Sequence, residues 1–407
     1  MEGGYFMLFK LNSGFRHLFL ARVFSILAES MMFFALLKWI EMQSQHMNSF
    51  TWFYVAFYLP ITFFSLPIGA WIENKTLQKV MIYSDFFRVV ALIVFALFMY
   101  QIGYEWTFVL LIIISILGQF FLPANQSLLT FVVSSEDRAK ANGLLQMAYT
   151  VSKITGGLLA SFLIKQSVSI PILLFLSAII LFLSLILVVK IKPYVKKERV
   201  GEGKIVPLMK EGILYILNDK KLKLLFTLLA LSMFIVTSID ILLISYFTET
   251  LHLGVENISF VGAASLLGIL IGSTHTTKLY KQVDRKWLII SPLFVVSFSM
   301  SSLIFVGNWM WILPFFFLQG ISVGIFNVSL VTFLQDEVTQ DKLTRTFSIY
   351  SMITSSMTLP GLLVFGYLLQ LIGLDYTLFM MIAALVMIGL FSMLNMPKLG
   401  SGKKLKG

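Results

Sequence analysis

No cysteine occurs among the 407 residues, which removes disulfides, thiolate metal sites and thiol nucleophiles from consideration. Charge is scarce as well: 13% of the residues are Asp, Glu, Lys or Arg, against roughly a quarter in a soluble domain. A phosphate-cradling G-x-x-x-x-G-K-[ST] stretch is absent, and no polar segment is long enough for a nucleotide-binding domain, so hydrolysis-driven work is disfavoured. The four histidines, His17, His46, His252 and His275, have no ligand spacing, and no metal or cofactor is expected. Neither paired catalytic acids nor a Ser with a His lies within the apolar runs, so the chain is not expected to be an enzyme. The first residues also lack the ordered basic, apolar and small-residue regions of a removable signal, and the first hydrophobic segment is expected to stay.

What is present is apolar surface. Hydrophobic residues make up 58% of the chain, and the mean hydropathy is +0.89. Stretches such as Phe108 to Leu122 and Ile170 to Val189 approach or pass the roughly 18 apolar residues of a membrane-spanning helix. Their continuity rules out the alternating pattern of a barrel, so the spans are helices. Six are predicted near 17–39, 50–72, 81–101, 106–124, 141–164 and 169–190, and six more near 223–247, 256–277, 287–307, 309–334, 345–370 and 374–396.

The two sets repeat one another. NQSLLTF at Asn125 to Phe131 returns as NVSLVTF at Asn327 to Phe333, and FSILAESM at Phe24 returns as FTLLALSM at Phe226. Both matches lie 202 positions apart (125 to 327, 24 to 226), which points to a duplicated unit spanning almost the whole chain. An even number of spans per copy gives both copies the same orientation. The expected fold class is an all-α membrane protein of twelve transmembrane helices in two parallel six-helix repeats. The expected domains are an N-terminal bundle over 1–190, a cytoplasmic linker over 191–222 and a C-terminal bundle with a basic tail over 223–407.

Lys and Arg number 31 against 20 acids, a net charge of +11. Most of the basic residues fall in the termini and the even-numbered loops, whereas Lys38 and Lys165 lie at the opposite face. Retained cytoplasmic loops carry such an excess, so both termini are expected in the cytoplasm. The charge is topological and needs no nucleic-acid partner. Within the linker, Pro207 could open a short helix with Leu208, Met209, Ile213, Ile216 and Leu217 on one side, suited to the inner leaflet; a plain solvated linker is the alternative.

The repeated Asn-x-Ser segments are placed at the cytoplasmic ends of spans 4 and 10. Asn125 and Asn327 there read either as inner-gate contacts that bond to free carbonyls as a helix end moves or as ordinary helix caps. Ionisable groups deep in a span cost at least about 2.5 to 3.5 kcal/mol on insertion scales and usually face a cavity or a partner. Glu29 and Lys153 lie equally far into spans 1 and 5, which run in the same direction. The position equivalent to Glu29 in the second copy is Leu231, so duplication alone did not require an acid. Glu29 reads as a protonatable coupling site or as half of a structural ion pair with Lys153.

Several motifs resemble the major facilitator superfamily. GAWIENKTLQK, Gly69 to Lys79, is similar to that family's loop pattern G-x-L-a-D-r-x-G-r-r, with Glu73 for the Asp, Asn74 for the first Arg and Thr76 for the second Gly. FRHLFLARVFSILAES, SDFFRVVAL with Asp85 and Arg88, LPANQSLLTFVVSSEDRAKANGLLQ, and FLQDEVTQDKLTRTFSI with Arg345 resemble its macrolide-efflux-like branch. The usual fifth-span Gly-Pro pair is replaced by Gly156 and Gly157, and a Pro360-Gly361 pair stands in the eleventh span. The resemblance implies a monomeric, multi-pass plasma-membrane exporter of small amphipathic compounds or drugs, driven by exchange with an ion, the proton first. It places Asp85 and Arg88 with Glu73 in an inner-gate charge network and makes spans 1 and 5 neighbours; Gly69, Asn125, Asn327 and Arg345 are taken with the same gate and its motifs. A solvated i, i+3 pair is the plain reading of Asp85 and Arg88 at the start of span 3. The 202 offset carries Lys38 onto Asp240, so these two opposite charges are candidates for an outer gate. The rival readings are transport of another metabolite or siderophore in either direction, and a non-transporting receptor or scaffold.

Overall fold

The computed structural model describes residues 12–44, 47–72, 75–134, 137–192, 213–338 and 340–397. Helices account for nearly all of these, and no strand occurs among them. The first half contains α1 (Ser13–Gln43), α2 (Met47–Ile72), α3 (Leu77–Phe98), α4 (Trp106–Val132), α5 (Arg138–Lys165) and α6 (Ile170–Val189). The second contains α7 (Lys220–Val236), α8 (Ile239–Ser245), α9 (Ile258–Gln282), α10 (Arg285–Phe305), α11 (Leu313–Glu337), α12 (Gln340–Ser356) and α13 (Thr358–Asn395). Residues 213–218 form one further helical turn and a half; the preceding part of the linker, with Pro207, lies outside the described residues.

Ten helices among the described residues are long and apolar enough to cross a membrane. One of them, Ile349–Asn395, runs for 47 residues, well beyond the roughly 20 that a bilayer requires. It is broken at Gly373, where φ is 79°, a backbone conformation that glycine adopts without a Cβ clash. The break divides the segment into the expected spans 11 and 12, while α2, with 26 residues, occupies the expected span 2. Local chemistry fixes the starts: Asn12 accepts from Phe15 N at 2.9 Å, Asp219 from Lys221 N at 2.8 Å and Asp284 from Lys286 N at 2.9 Å. Each satisfies a first-turn amide that has no partner within its helix.

The chain divides into two compact units. The first holds residues up to Val200 together with Gly254–Ser259, and the second holds Gly201–Leu253 and Phe260 onward. In the first unit α1 packs on α5 and α6, α3 on α4 and α6, and α2 on α4. Gln78 ties the start of α3 to the end of α6, donating to Val188 O at 3.2 Å and Ile191 O at 2.5 Å. In the second unit α10 packs on α11 and α13, and α13 on α7.

The second unit also has a seam of glycines. A Cβ on Gly268 or Gly272 of α9 would collide with the α11 backbone at Phe317 and Ile321. One on Gly320 or Gly324 of α11 would collide with the α9 backbone at Ser265 and Ile269. Small residues spaced four apart let helices in lipid approach to backbone contact. The equivalent positions of the first copy are Leu66, Ala70, Gly118 and Leu122, so the duplicated helices diverged in how they meet.

Candidate functional site

One face of α1 presents Arg22, Ser25 and Glu29, spaced i, i+3 and i+7 and therefore stacked along one side of the helix. Asp85 and Arg88 share a face of α3 in the same way. Packing of α1, α3 and α6 brings these side chains together. Arg88 Nη2 donates to Ser25 Oγ at 2.9 Å and is paired with Asp85 Oδ1. Its Nη1 lies 3.5 Å from Glu29 Oε2. Ser184 of α6 donates to Asp85 Oδ2 at 2.7 Å, and the Phe121 ring of α4 lies 5.5 Å from the Arg88 guanidinium carbon.

Burial separates the three charges. Asp85 is 0% exposed and Arg88 2%, whereas the Glu29 side chain is 42% exposed. The solvated reading of Asp85 and Arg88 is therefore overturned: the pair is sealed between α1, α4 and α6. Its expected place at the start of the third span is corrected too, since Asp85 follows Leu77 by eight residues, about 12 Å of helix. Sequence spacing showed that the two side chains share a face but not that the face points inward. The two groups of charges that were separate in the sequence form one cluster, with Arg88 serving two carboxylates.

Glu29 thus has Arg88 as an ion-pair partner, which the depth argument did not name. Lys153 is exposed, with Nζ 3.3 Å from the Tyr149 hydroxyl. The expected level of spans 1 and 5 does hold at the backbone, because Ser30 Oγ donates to Lys153 O at 2.8 Å. Gly156 and Gly157 make this contact possible. A Cβ at Gly156 would stand 2.6 Å from Leu27 O, and one at Gly157 would meet the Phe34 ring at 2.9 Å.

Asn125 and Asn327 do not cap helices. Asn125 lies seven residues before the end of α4 and Asn327 ten before the end of α11, so their local backbone groups are already engaged in the helix. Asn125 is fully buried and accepts a hydrogen bond from Arg22 Nη1 at 3.3 Å. Gly69 lies in α2 and Arg345 in α12; Glu73 lies outside the described residues.

Lys38 is held within the first unit by two acids. Its Nζ lies 2.5 Å from Glu41 and 2.9 Å from Glu256. Glu41 also accepts from Val255 N at 2.9 Å, Ser161 donates to Glu256 O at 2.5 Å, and Lys165 donates to Asn257 at 2.7 Å. These bonds seat Gly254–Ser259 on α1 and α5. Asp240 lies in the first turn of α8, in the second unit. Glu41 was readable as the i+3 neighbour of Lys38; Glu256, 218 residues away, had no such signal.

A second missed cluster closes the ends of α7, α9, α10 and α11. Asp336 pairs with Arg285 Nη2 at 3.0 Å and accepts from the Tyr280 hydroxyl at 3.1 Å, while Glu337 takes Lys221 at 2.5 Å. Burial pushes the Tyr280 phenol up from its ordinary range, which keeps it a donor. The adjacent Asp-Glu pair in FLQDEV was the available sequence signal.

Two helical units with ionisable groups inside long apolar helices are the architecture of a multi-pass membrane protein. The chain belongs to the Major Facilitator Superfamily, whose model matches residues 18–361 and 225–405. It is 23% identical to macrolide efflux protein A of Streptococcus pyogenes over 334 residues, 78% of this chain and 80% of that protein. The Enterococcus faecalis protein of that name is 24% identical over 313 residues, covering 73% of this chain and 94% of its own length. YkuC of Bacillus subtilis, an uncharacterized MFS-type transporter, is 25% identical over 361 residues, 84% of this chain and 82% of YkuC. Among solved structures, nucleoside transporter NupG matches with a TM-score of 0.74 at 12% identity, over 94% of this chain and 98% of NupG. A bacterial homologue of the human lysosomal transporter Spinster matches with a TM-score of 0.72 at 12% identity, over 94% and 96%. These two likenesses establish the fold.

Proposed function

We propose that the chain is a proton-coupled exporter of small amphipathic compounds or drugs, working as a monomer by alternating access in the plasma membrane with both termini cytoplasmic. The observation that carries this reading is the contrast between Glu29 and its neighbours. A half-open carboxylate touches an arginine that is otherwise sealed with Asp85. Asp85 and Glu29 together oppose one Arg88, so the three groups sum to a negative charge when both acids are ionised. Protonation of Glu29 neutralises the cluster and frees Arg88 to serve Asp85 alone. A group whose charge state alters a buried network, and which solvent can reach, is suited to couple proton uptake to a change of state. The names of the efflux relatives support export and a drug-like substrate.

Lys153, at the level of Glu29, and the Asp85–Arg88 pair belong to the same coupling machinery in this reading. Lys38 holds the outer end through Glu41 and Glu256. The test is flux of a fluorescent amphipathic dye out of energised vesicles that carry the full chain, with wild type and Glu29→Gln compared at equal membrane insertion. The variant is expected to lose gradient-driven flux. Flux equal to wild type would remove the coupling role from Glu29, and the absence of any gradient-dependent flux in wild type would remove the exporter reading.

A further inference from the structure

We propose that Arg22 and Asn125 form a buried site for a compact, acceptor-only anion, chloride or a small carboxylate, inside the first unit. Arg22 is 7% exposed and Asn125 fully buried. A guanidinium carries five N–H donors, yet among the described residues Arg22 makes one hydrogen bond, the 3.3 Å contact from Nη1 to Asn125 Oδ1. Arg22 Nε and Asn125 Nδ2 are both buried without an acceptor. No carboxylate of the described residues lies within ion-pair distance of Arg22.

The neighbouring acids are committed elsewhere. Glu29, seven residues along α1 and so about 10 Å away along the axis, reaches Arg88 at 3.5 Å; Asp85 is sealed against Arg88 and Ser184. Arg22 is therefore a cation in an apolar helix bundle whose Nε finds no acceptor, beside an Asn125 amide whose Nδ2 finds none either. Unmatched buried charge is expensive, and an amide that adds a second donor beside it makes a site for an anion. Water offers donors as well as acceptors and brings no negative charge to the guanidinium. The second copy keeps Asn327 but has Leu224 in place of Arg22, so the site belongs to the first copy.

The experiment uses the full chain in lipid nanodiscs, with thermal unfolding followed by tryptophan fluorescence. Gluconate, too bulky for the site, is exchanged for chloride or formate at constant ionic strength. Wild type is expected to show a saturable rise of about 2–4 °C, the size of effect that occupancy of one specific site produces. The rise should vanish in Arg22→Gln. It should also vanish in Asn125→Asp, which supplies its own carboxylate, and that variant should unfold in gluconate no earlier than wild type does in chloride. Saturable binding of radiolabelled chloride to wild type, competed by formate, is read in parallel and does not depend on any variant folding. Tighter competition by chloride assigns the site to an inorganic anion, and tighter competition by formate assigns it to the carboxylate of a solute. Equal unfolding in all three anions together with no saturable binding would overturn the proposal, as would an anion effect that persists undiminished in Asn125→Asp.

Discussion

Asymmetry around Arg88 makes a quantitative prediction. Arg88→Met leaves Asp85, fully buried, with Ser184 as its donor and no cation in contact. Asp85→Asn leaves Arg88 with Glu29 at 3.5 Å and Ser25 at 2.9 Å. Removing one member of a buried pair costs about 3–5 kcal/mol when the other is left uncompensated. Arg88→Met should therefore show the full cost, and Asp85→Asn about half of it, because Glu29 takes over part of the compensation. For a unit of this size that corresponds to roughly 6–20 °C in unfolding temperature for Arg88→Met. The double variant Asp85→Asn, Arg88→Met removes both charges and should recover at least about 2 kcal/mol relative to Arg88→Met, because neutral replacements of similar volume avoid the desolvation cost. Tryptophan fluorescence of purified protein in nanodiscs, melted at matched lipid composition, reads all three. Equal losses in the two single variants, or a double variant that is the additive sum of both, would refute the shared-arginine reasoning.

Gly156→Ala should lower the unfolding temperature markedly, by about 1–3 kcal/mol of overpacking, because the new Cβ meets the Leu27 carbonyl at 2.6 Å. Gly157→Ala meets the Phe34 ring, which can turn aside, and should cost less; a reversed order in melting curves would contradict this. Lys38→Met should loosen Gly254–Ser259, so that a cysteine introduced at Asn257, on a background with no native cysteine, labels several-fold faster with a membrane-impermeant maleimide. Unchanged labelling would argue against the clasp. In the second unit Asp336→Asn leaves Arg285, 7% exposed, without its carboxylate and should be more destabilising than Glu337→Gln, whose partner Lys221 is 45% exposed and worth at most about 1 kcal/mol. The two variants melting alike would sink that ranking.

Helix positions were legible because apolar length is a one-dimensional property and the bilayer sets its scale. The repeat was legible for the same reason, as was the shared face of Asp85 and Arg88, since helical periodicity converts spacing into direction. What could not be read was which way a face points inside an all-apolar helix. α3 has hydrophobic residues on every side, so amphipathicity gave no clue that Asp85 faces α6 and Ser184. Long-range partners were hidden likewise: Glu256 meets Lys38, and Asn125 meets Arg22, only through packing. Depth along the helix set Glu29 level with Lys153, and the adjacent Ser30 does bond to the Lys153 carbonyl, but depth alone could not tell that Arg88 approaches Glu29 from a third helix. Asn125 misled because the pattern Asn-x-Ser before a charged loop resembles a cap, while α4 continues for seven residues beyond it.

The membership of Gly254–Ser259 in the first unit means that this unit is not encoded as one continuous stretch. A chain ending within the linker would not contain this segment. Lys38, Ser161 and Lys165 would then lose their partners Glu256 and Asn257. In the full chain the segment is supplied covalently. A gene cut within the linker would therefore produce a first fragment that lacks six residues of its own unit, Gly254–Ser259, which the second fragment encodes.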